Sequence, residues 1–296
     1  NFKMKKNRET DFTPLKIELL FYKNERFVAS NMFDTFSKPI ALPSTIKVEK
    51  KPTHSQKIPI LLVQTMYPLP EDRGNKIILN QLITWLNNHN YSVNLIIQEK
   101  EDRDLIEKTK EIVNGLYFIS NLNAMKQKPL KAPETDKSNA LLSWAIHAAT
   151  NELKPKAVIA QYAYLGKSFA PIQNKAKTYC FTHDVQHRFK EELLDKGIDI
   201  DSKRIISRGE EAERLSNFDT IVAINDYEKD FFQRMLPHKE IITVGMYRSN
   251  KSKSQEARTS SGKLSLLFVG SDNVQNTSSA KAFIDTVWPQ IYLKNP

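Results

Sequence analysis

The chain is poor in the features that most quickly identify a protein. One cysteine, Cys180, stands among 296 residues. That excludes an intrachain disulfide framework and fits a reducing compartment such as the cytoplasm. It lies in the apolar stretch "TYCF", where a thiol is expected to be buried and inert. No apolar run approaches the ~20 residues that span a bilayer, and the opening "NFKMKKNRETDF" lacks the apolar core of a signal peptide. Glycines number only 8, and none form a GxGxxG, so the dinucleotide fingerprint of nicotinamide and flavin enzymes is missing. There is no Walker loop, nucleophile elbow or HExxH, and no serine-histidine-aspartate spacing.

Charge is plentiful but unevenly spread. Lys and Arg total 44 against 34 Asp and Glu, a net of +10. Residues 1–57 hold 12 basic and 6 acidic residues, and residues 246–262 hold 4 and 1. Nearly the whole surplus therefore sits in a leading extension and an internal polar segment, and the rest of the chain is balanced. A nucleic-acid partner is not expected on this distribution. The basic segments read as solvated charge, or as peripheral contact with an anionic inner membrane face, worth ~1 kcal/mol per well-placed cation.

What is present is a strand and helix rhythm. Residues 1–57 read as a basic extension and linker. Within them 15–30 form either a strand pair or an amphipathic helix, and the Pro- and Lys-bearing 38–57 form a connector. From Ile58 the pattern is regular. The stretches 58–65, 91–98, 115–120, 156–162, 176–184, 219–225 and 240–245 are short apolar runs, as in strands buried on both faces. Between them 75–89, 138–153, 201–218 and 226–236 carry helical spacing, with Ser138 as an expected N-cap. This alternation predicts an α/β domain over 58–245, a Rossmann-like parallel sheet with helices on both faces. Residues 246–262 read as a linker. Residues 263–296 read as the strand, glycine turn and helix that open a second Rossmann-like domain. Because one such unit is little to build, and because the chain opens on Asn1, the sequence is expected to be a portion of a longer protein.

In parallel sheets ligands bind beyond the carboxyl ends of the strands. After the first strand comes "MYPLPEDRGNK". Gly74 there is either a helix-entry turn or a point where backbone approaches a phosphate, with Arg73 beside it. After the strand ending "YCF" comes "THDVQHR". His183 is either a satisfied core histidine or a ligand contact, and it has Asp184, His187 and Arg188 nearby. His183 and His187 lack the further ligands a metal needs, so no metal is expected. The Asp199-Ile200-Asp201 triplet reads as a turn and cap, and 101–104 ("EDRD") as a solvated loop. Asn225 caps the next helix, Glu228 lies in its first turn, and Glu211 reads as solvated.

Three segments in order carry a resemblance: "ILLVQTMYPLPEDRGNKIILNQLITWLNNHNYSVNLI", "THDVQHR…RGEEAERLSNFDTIVAINDYEKDFF" and "LLFVGSDNVQNTSSAKAFIDTVWPQI". Over 58–296 the chain resembles retaining GT-B glycosyltransferases of the group-1 or family-4 type. The resemblance implies two Rossmann-like domains, the first holding the acceptor and the second a nucleotide-sugar. It implies sugar transfer to a glycan or lipid-linked acceptor, of the kind that builds a bacterial polysaccharide or glycolipid, without a cofactor or metal. By position, His183 would bond the donor sugar near its anomeric carbon. Gly74, Arg73, Gly270 and Ser271 would face the phosphates. Asp184, Arg188 and Glu228 would contact the acceptor or order its loop. The chain differs from the family in having one glycine rather than two in the first loop, and no evident basic phosphate ligands in "GSDNVQNTSS". The family's later glutamate motif would fall after Pro296, so this portion alone is expected to be inactive. The alternative reading is a non-catalytic module of the same fold that binds a glycan or partner.

Overall fold

The computed structural model describes residues 18–23, 26–31, 45–52, 56–120, 137–172, 175–188, 206–245, 266–270 and 274–294. Asp199, Asp201, Ser271 and the linker 246–262 lie outside them. The chain divides into two units, Asn1–Tyr247 and Arg248–Pro296.

In the first unit, β1 (Glu18–Lys23) and β2 (Arg26–Asn31) form an antiparallel pair of their own, which decides between the two readings of 15–30. The main sheet contains β3 (Ile46–Lys50), β4 (Ile58–Gln64), β5 (Tyr91–Glu99), β6 (Gly115–Ser120), β7 (Ala157–Gln161), β8 (Lys177–Phe181), β9 (Thr220–Ala223) and β10 (Glu240–Thr243). Its order is β10-β9-β8-β7-β4-β5-β6-β3. All neighbours are parallel except β3, which runs antiparallel on β6. The fold is α/β with a Rossmann-like sheet, as the alternation predicts.

The connector reading of 38–57 is corrected by β3. Ile46 is buried against the sheet while Val48, two residues on along the same face, is already exposed, as fits an edge strand. Lys50 of this strand donates to the carbonyls of Lys110 and Val113 at 2.7 and 2.6 Å. Those carbonyls close helix α2 (Arg103–Ile112), so the lysine meets the negative end of the helix dipole. The 101–104 stretch is exposed as expected, but rather than a loop it opens α2, where the Asp102 side chain accepts from Leu105 N at 3.1 Å.

Helices cover both faces. α1 (Gly74–Asn88) and α2 bury Leu79, Ile83, Leu86 and Ile106 against Ile60, Leu62, Leu95, Ile97 and Phe118. α3 (Ala140–Leu153), a 3₁₀ segment (Ala163–Ile172), α4 (Arg208–Leu215) and α5 (Asp226–Met235) cover the opposite face. There Leu61, Val63, Ile96, Val158, Ala160 and Ile221 form the second core layer. Cys180 lies in that layer fully buried, and burial pushes its thiol well up. Asn139, not Ser138, caps α3, accepting from Leu142 N at 2.9 Å. α4 begins at Arg208 behind a Ser207–Glu210 capping box. Gly166 in the 3₁₀ segment allows close approach to α4, since a Cβ there would lie 2.2 Å from the Arg214 carbonyl oxygen.

The chain runs β4, β5, β6 toward one edge, then returns to β7, β8, β9, β10 toward the other. The crevice where this direction reverses, at the carboxyl ends of β4 and β7, is the favoured ligand position in such sheets.

In the second unit, 266–270 takes no regular secondary structure, and Leu267 and Val269 are exposed. Helix α6 (Val274–Ala282) passes through a wider π segment, Phe283–Val287, into α7 (Trp288–Lys294). The π segment ends just before Pro289, which cannot donate to the carbonyl four residues back. Among the described residues no helix is long and apolar enough to cross a membrane.

Candidate functional site

Two groups of side chains meet at the carboxyl edge of the first unit's sheet. The first is built around His183. The backbone is left-handed at Tyr162 (φ 79°), just after β7, and at His183 (φ 61°), just after β8. Each such non-glycine residue costs on the order of 1–3 kcal/mol and persists only where its surroundings fix it. Among the described residues the other two non-glycine positions with positive φ, Asn90 and Lys154, precede β5 and β7 at the far edge, where they end helices. Here the contorted backbone instead turns two side chains into the crevice.

The His183 ring is buried and lies 4.5 Å from the Tyr162 ring. Its Nε2 meets Gln161 Oε1 at 2.5 Å. Burial drives its pKa from the usual 6.5 down to about 4, so the imidazole is neutral at pH 7. Tyr162 stacks in turn on Tyr164, with centroids 4.9 Å apart. Asn75 Nδ2, in the first turn of α1, donates to the Tyr162 hydroxyl at 2.6 Å, and Tyr164 and Thr65 share a 2.9 Å hydroxyl contact. Burial raises the Tyr162 phenol to about 12, with the Asp184 charge adding to this and Asn75 and Arg73 opposing it. The ends of β4, β7 and β8 and the start of α1 are thereby tied into one cluster.

The α1 N-terminus is open. Arg73 occupies the cap position with extended backbone and makes no side-chain cap bond, and the first turn holds no acidic residue. Both Arg73 and Gly74 are exposed. Lys76 N–H is taken up by Asn75 Oδ1 at 2.9 Å, and the preceding amides of Gly74 and Asn75, at the positive end of a 15-residue helix, make a favourable seat for an anion.

The second group is acidic. Glu211 is fully buried, which corrects the solvated reading. Its carboxylate accepts from the backbone of Gln186 at 2.9 Å and of His187 at 3.0 Å, and from His187 Nδ1 at 2.6 Å. It clasps the chain just beyond His183 and Asp184. Asp184 keeps contact with solvent but is pushed up to about 6, first by burial of its surroundings and then by the Glu211 charge. Glu228, in the first turn of α5 behind the Asn225 cap, is pushed up to about 7 by burial, then by Asp184, with a smaller part from Glu211. Its Oε2 is sealed from solvent without a hydrogen-bond partner. Three carboxyl groups thus repel one another beside the histidine.

The remaining predicted residues are placed as follows. Arg188 donates to the Tyr227 hydroxyl, and its guanidinium lies 5.3 Å from the ring centroids of Tyr227 and Phe231 on α5, so it ties the 182–188 loop to that helix. His187 faces Glu211 and Phe231, away from His183's partners. Among the described residues no group of three or more metal-ligating side chains occurs. Gly270, in the second unit, is exposed and lines a groove of about 450 Å³ with Phe268, Asn276 and Lys281.

Two buried residues escape sequence reasoning. Gln64 ends β4 and Gln161 ends β7, on register-adjacent positions one step beyond the Val63–Ala160 pair. Both are buried, and Gln64's two amide atoms and Gln161's Nε2 have no hydrogen-bond partner. The signal available in sequence is a glutamine closing an otherwise apolar run, "IPILLVQ" and "AVIAQ".

No protein-family model matches the chain, and no curated protein matches it. Among solved structures, sucrose-phosphate synthase from Thermosynechococcus elongatus is 13% identical over 64% of this chain and 48% of that one, with a TM-score of 0.47. Phytolacca americana UGT2, complexed with UDP-2-fluoro-glucose and pterostilbene, is 10% identical over 66% of this chain and 56% of that one, at 0.43. The N-terminal domain of Candida albicans trehalose-6-phosphate phosphatase is 16% identical over 66% and 50%, at 0.39. The chain spans about half the length of the solved structures it matches.

Proposed function

We propose that this protein is a glycosyltransferase that moves a sugar from a nucleotide-sugar to a glycan or glycolipid acceptor with retention of configuration. The observation that carries the reading is His183, a buried and neutral imidazole held in a left-handed backbone just after β8, the strand next to the switch point of the sheet. It is a fixed hydrogen-bonding group, not a mobile base, suited to orienting a neutral sugar.

Glycosyl transfer develops negative charge on the leaving phosphate and positive character at the anomeric carbon, and catalysis consists largely of meeting those charges with groups already in place. The open N-terminal amides of α1 at Gly74, with Arg73 beside them, supply positive potential for the phosphate side. His183 positions the sugar, which makes the reaction effectively intramolecular. In a front-face, retaining process the leaving phosphate takes the acceptor proton, so neither a protein nucleophile nor a metal is required. Asp184 and Glu228 belong to the acceptor side, Arg188 orders their loop, and Gly270 and Ser271 belong to the donor side. The surplus of Lys and Arg in residues 1–57 and 246–262 supports contact with an anionic cytoplasmic membrane face, where lipid-linked acceptors would lie.

A donor screen tests this. The intact protein, incubated with a panel of nucleotide-sugars and candidate acceptors, is expected to release nucleotide from one donor class. Binding of glycans without release from any donor would instead favour the non-catalytic reading.

A further inference from the structure

His183 meets its neighbours unequally. Nε2 makes the 2.5 Å contact with Gln161 Oε1. No hydrogen bond of Nδ1 to another described residue accompanies it. A neutral imidazole carries one donor and one acceptor, and which nitrogen carries the proton is set by the bond the other groups offer it. Facing a carbonyl oxygen, Nε2 must be the donor. Nδ1 is then the acceptor, the nitrogen left for a further donor.

Gln161 is well placed to enforce this. It is the last residue of β7 and pairs in register with Phe181 of β8, two residues before His183. It is buried, and its position is fixed by strands on both sides, β4 and β8. The Tyr162 ring packs on the imidazole and keeps it from turning away. We propose that Gln161 is a positioning residue: it holds His183 as the Nε2–H tautomer, so that Nδ1 accepts a hydrogen bond from a hydroxyl of the bound sugar.

The consequence is a ligand class. An acceptor nitrogen receives a hydroxyl and gives nothing to a phosphate or carboxylate oxygen. Asp184, the next residue along, reinforces this where it is ionised by repelling anions. The sugar ring, not the phosphate, is assigned to the end of β8, and the phosphate to the start of α1. The ligand half of this inference rests on the glycosyl-transfer reading, whereas the tautomer does not.

Long-range ¹H–¹⁵N correlation of the histidine rings in the intact protein tests the tautomer without any ligand. In the wild type, His183 is expected to show a protonated Nε2 and an unprotonated Nδ1 between pH 6 and 8. Gln161→Leu removes the acceptor and is expected to give a mixture of tautomers. Gln161→Glu is expected to raise the imidazole pKa by stabilising its charged form. A wild-type ring protonated at Nδ1 would overturn the proposal, and so would a tautomer unchanged in Gln161→Leu. For the ligand half, Gln161→Leu is expected to weaken binding of the donor nucleotide-sugar about tenfold, the value of roughly one hydrogen bond, while binding of the bare nucleotide stays within about twofold. Equal loss for both would show that the residue acts only on the fold. If no nucleotide-sugar binds even the wild type while the tautomer stands, the glycosyl-transfer reading fails and the Gln161 assignment survives.

Discussion

Glu211→Ala is expected to lower the unfolding free energy by about 3–5 kcal/mol, the scale of leaving several buried donors without an acceptor at about 1–3 kcal/mol each. The carboxylate is fully buried and holds three donors, the backbone N–H groups of Gln186 and His187 and the His187 ring. Alanine leaves all three without an acceptor, and a buried donor stripped of its partner loses its full solvation. Glu211→Gln keeps one acceptor oxygen but turns an amide N–H₂ toward the same donors, so it recovers only part of the loss. Denaturant titration measures the change. Hydrogen exchange locates it, with the Gln186 and His187 amides expected to become much less protected. A loss below about 1 kcal/mol would show that the loop after β8 is held by other contacts, with the Arg188–Tyr227 attachment the next to consider.

The second large effect is a pH dependence at Glu228. Its carboxyl is pushed up to about 7 in the folded protein against a usual 4.5. Below 4.5 the group is protonated in both states, so it contributes no difference. Between 4.5 and 7 the folded state keeps a proton that the unfolded state has lost. Release of that proton favours the unfolded state, so stability falls across this window and levels off above 7, where the fold carries a third carboxylate near Asp184 and Glu211. The wild type therefore loses stability from this group as pH rises. Glu228→Gln removes the charge with little change of shape. It is expected to match the wild type near pH 4.5 and to exceed it by about 1–2 kcal/mol at pH 8.5, after allowing for solvent screening of a half-buried group. His183 acts in the opposite direction at lower pH. Its folded pKa of about 4 against 6.5 makes stability fall as pH drops through that window. The difference between variant and wild type, measured across pH, isolates Glu228. A constant difference from pH 4.5 to 8.5 would contradict the assignment.

These predictions fall on residues that differ in how visible they are in the sequence. His183 and Asp184 are legible because they follow a short apolar run, and the place where such a run ends is where parallel sheets bind ligands. Gly74 and Asn225 are legible because they stand at helix starts. Glu211 is not. "RGEEAERL" offers three glutamates, and only the packing of α4 on the 3₁₀ segment and the β8 loop decides that one turns inward. The edge strand β3 hides among lysines and prolines because one face of an edge needs no apolar residues. Helix α2 hides because it fully buries only Ile106 and Thr109. The carboxylate group is a tertiary feature, since Asp184, Glu211 and Glu228 come from three separate elements. The hold of Gln161 on His183 likewise joins residues on adjacent strands that no local pattern connects.

The central claim is that His183 positions a donor sugar at the switch point. It is tested most directly by nucleotide release from the preferred nucleotide-sugar by the intact protein, wild type against His183→Ala, with both shown to be folded by denaturant titration. The account predicts acceptor-dependent release by the wild type and a fall of about 100-fold in the variant, the scale on which a misplaced reacting group costs rate. Equal turnover by two equally folded proteins would contradict it.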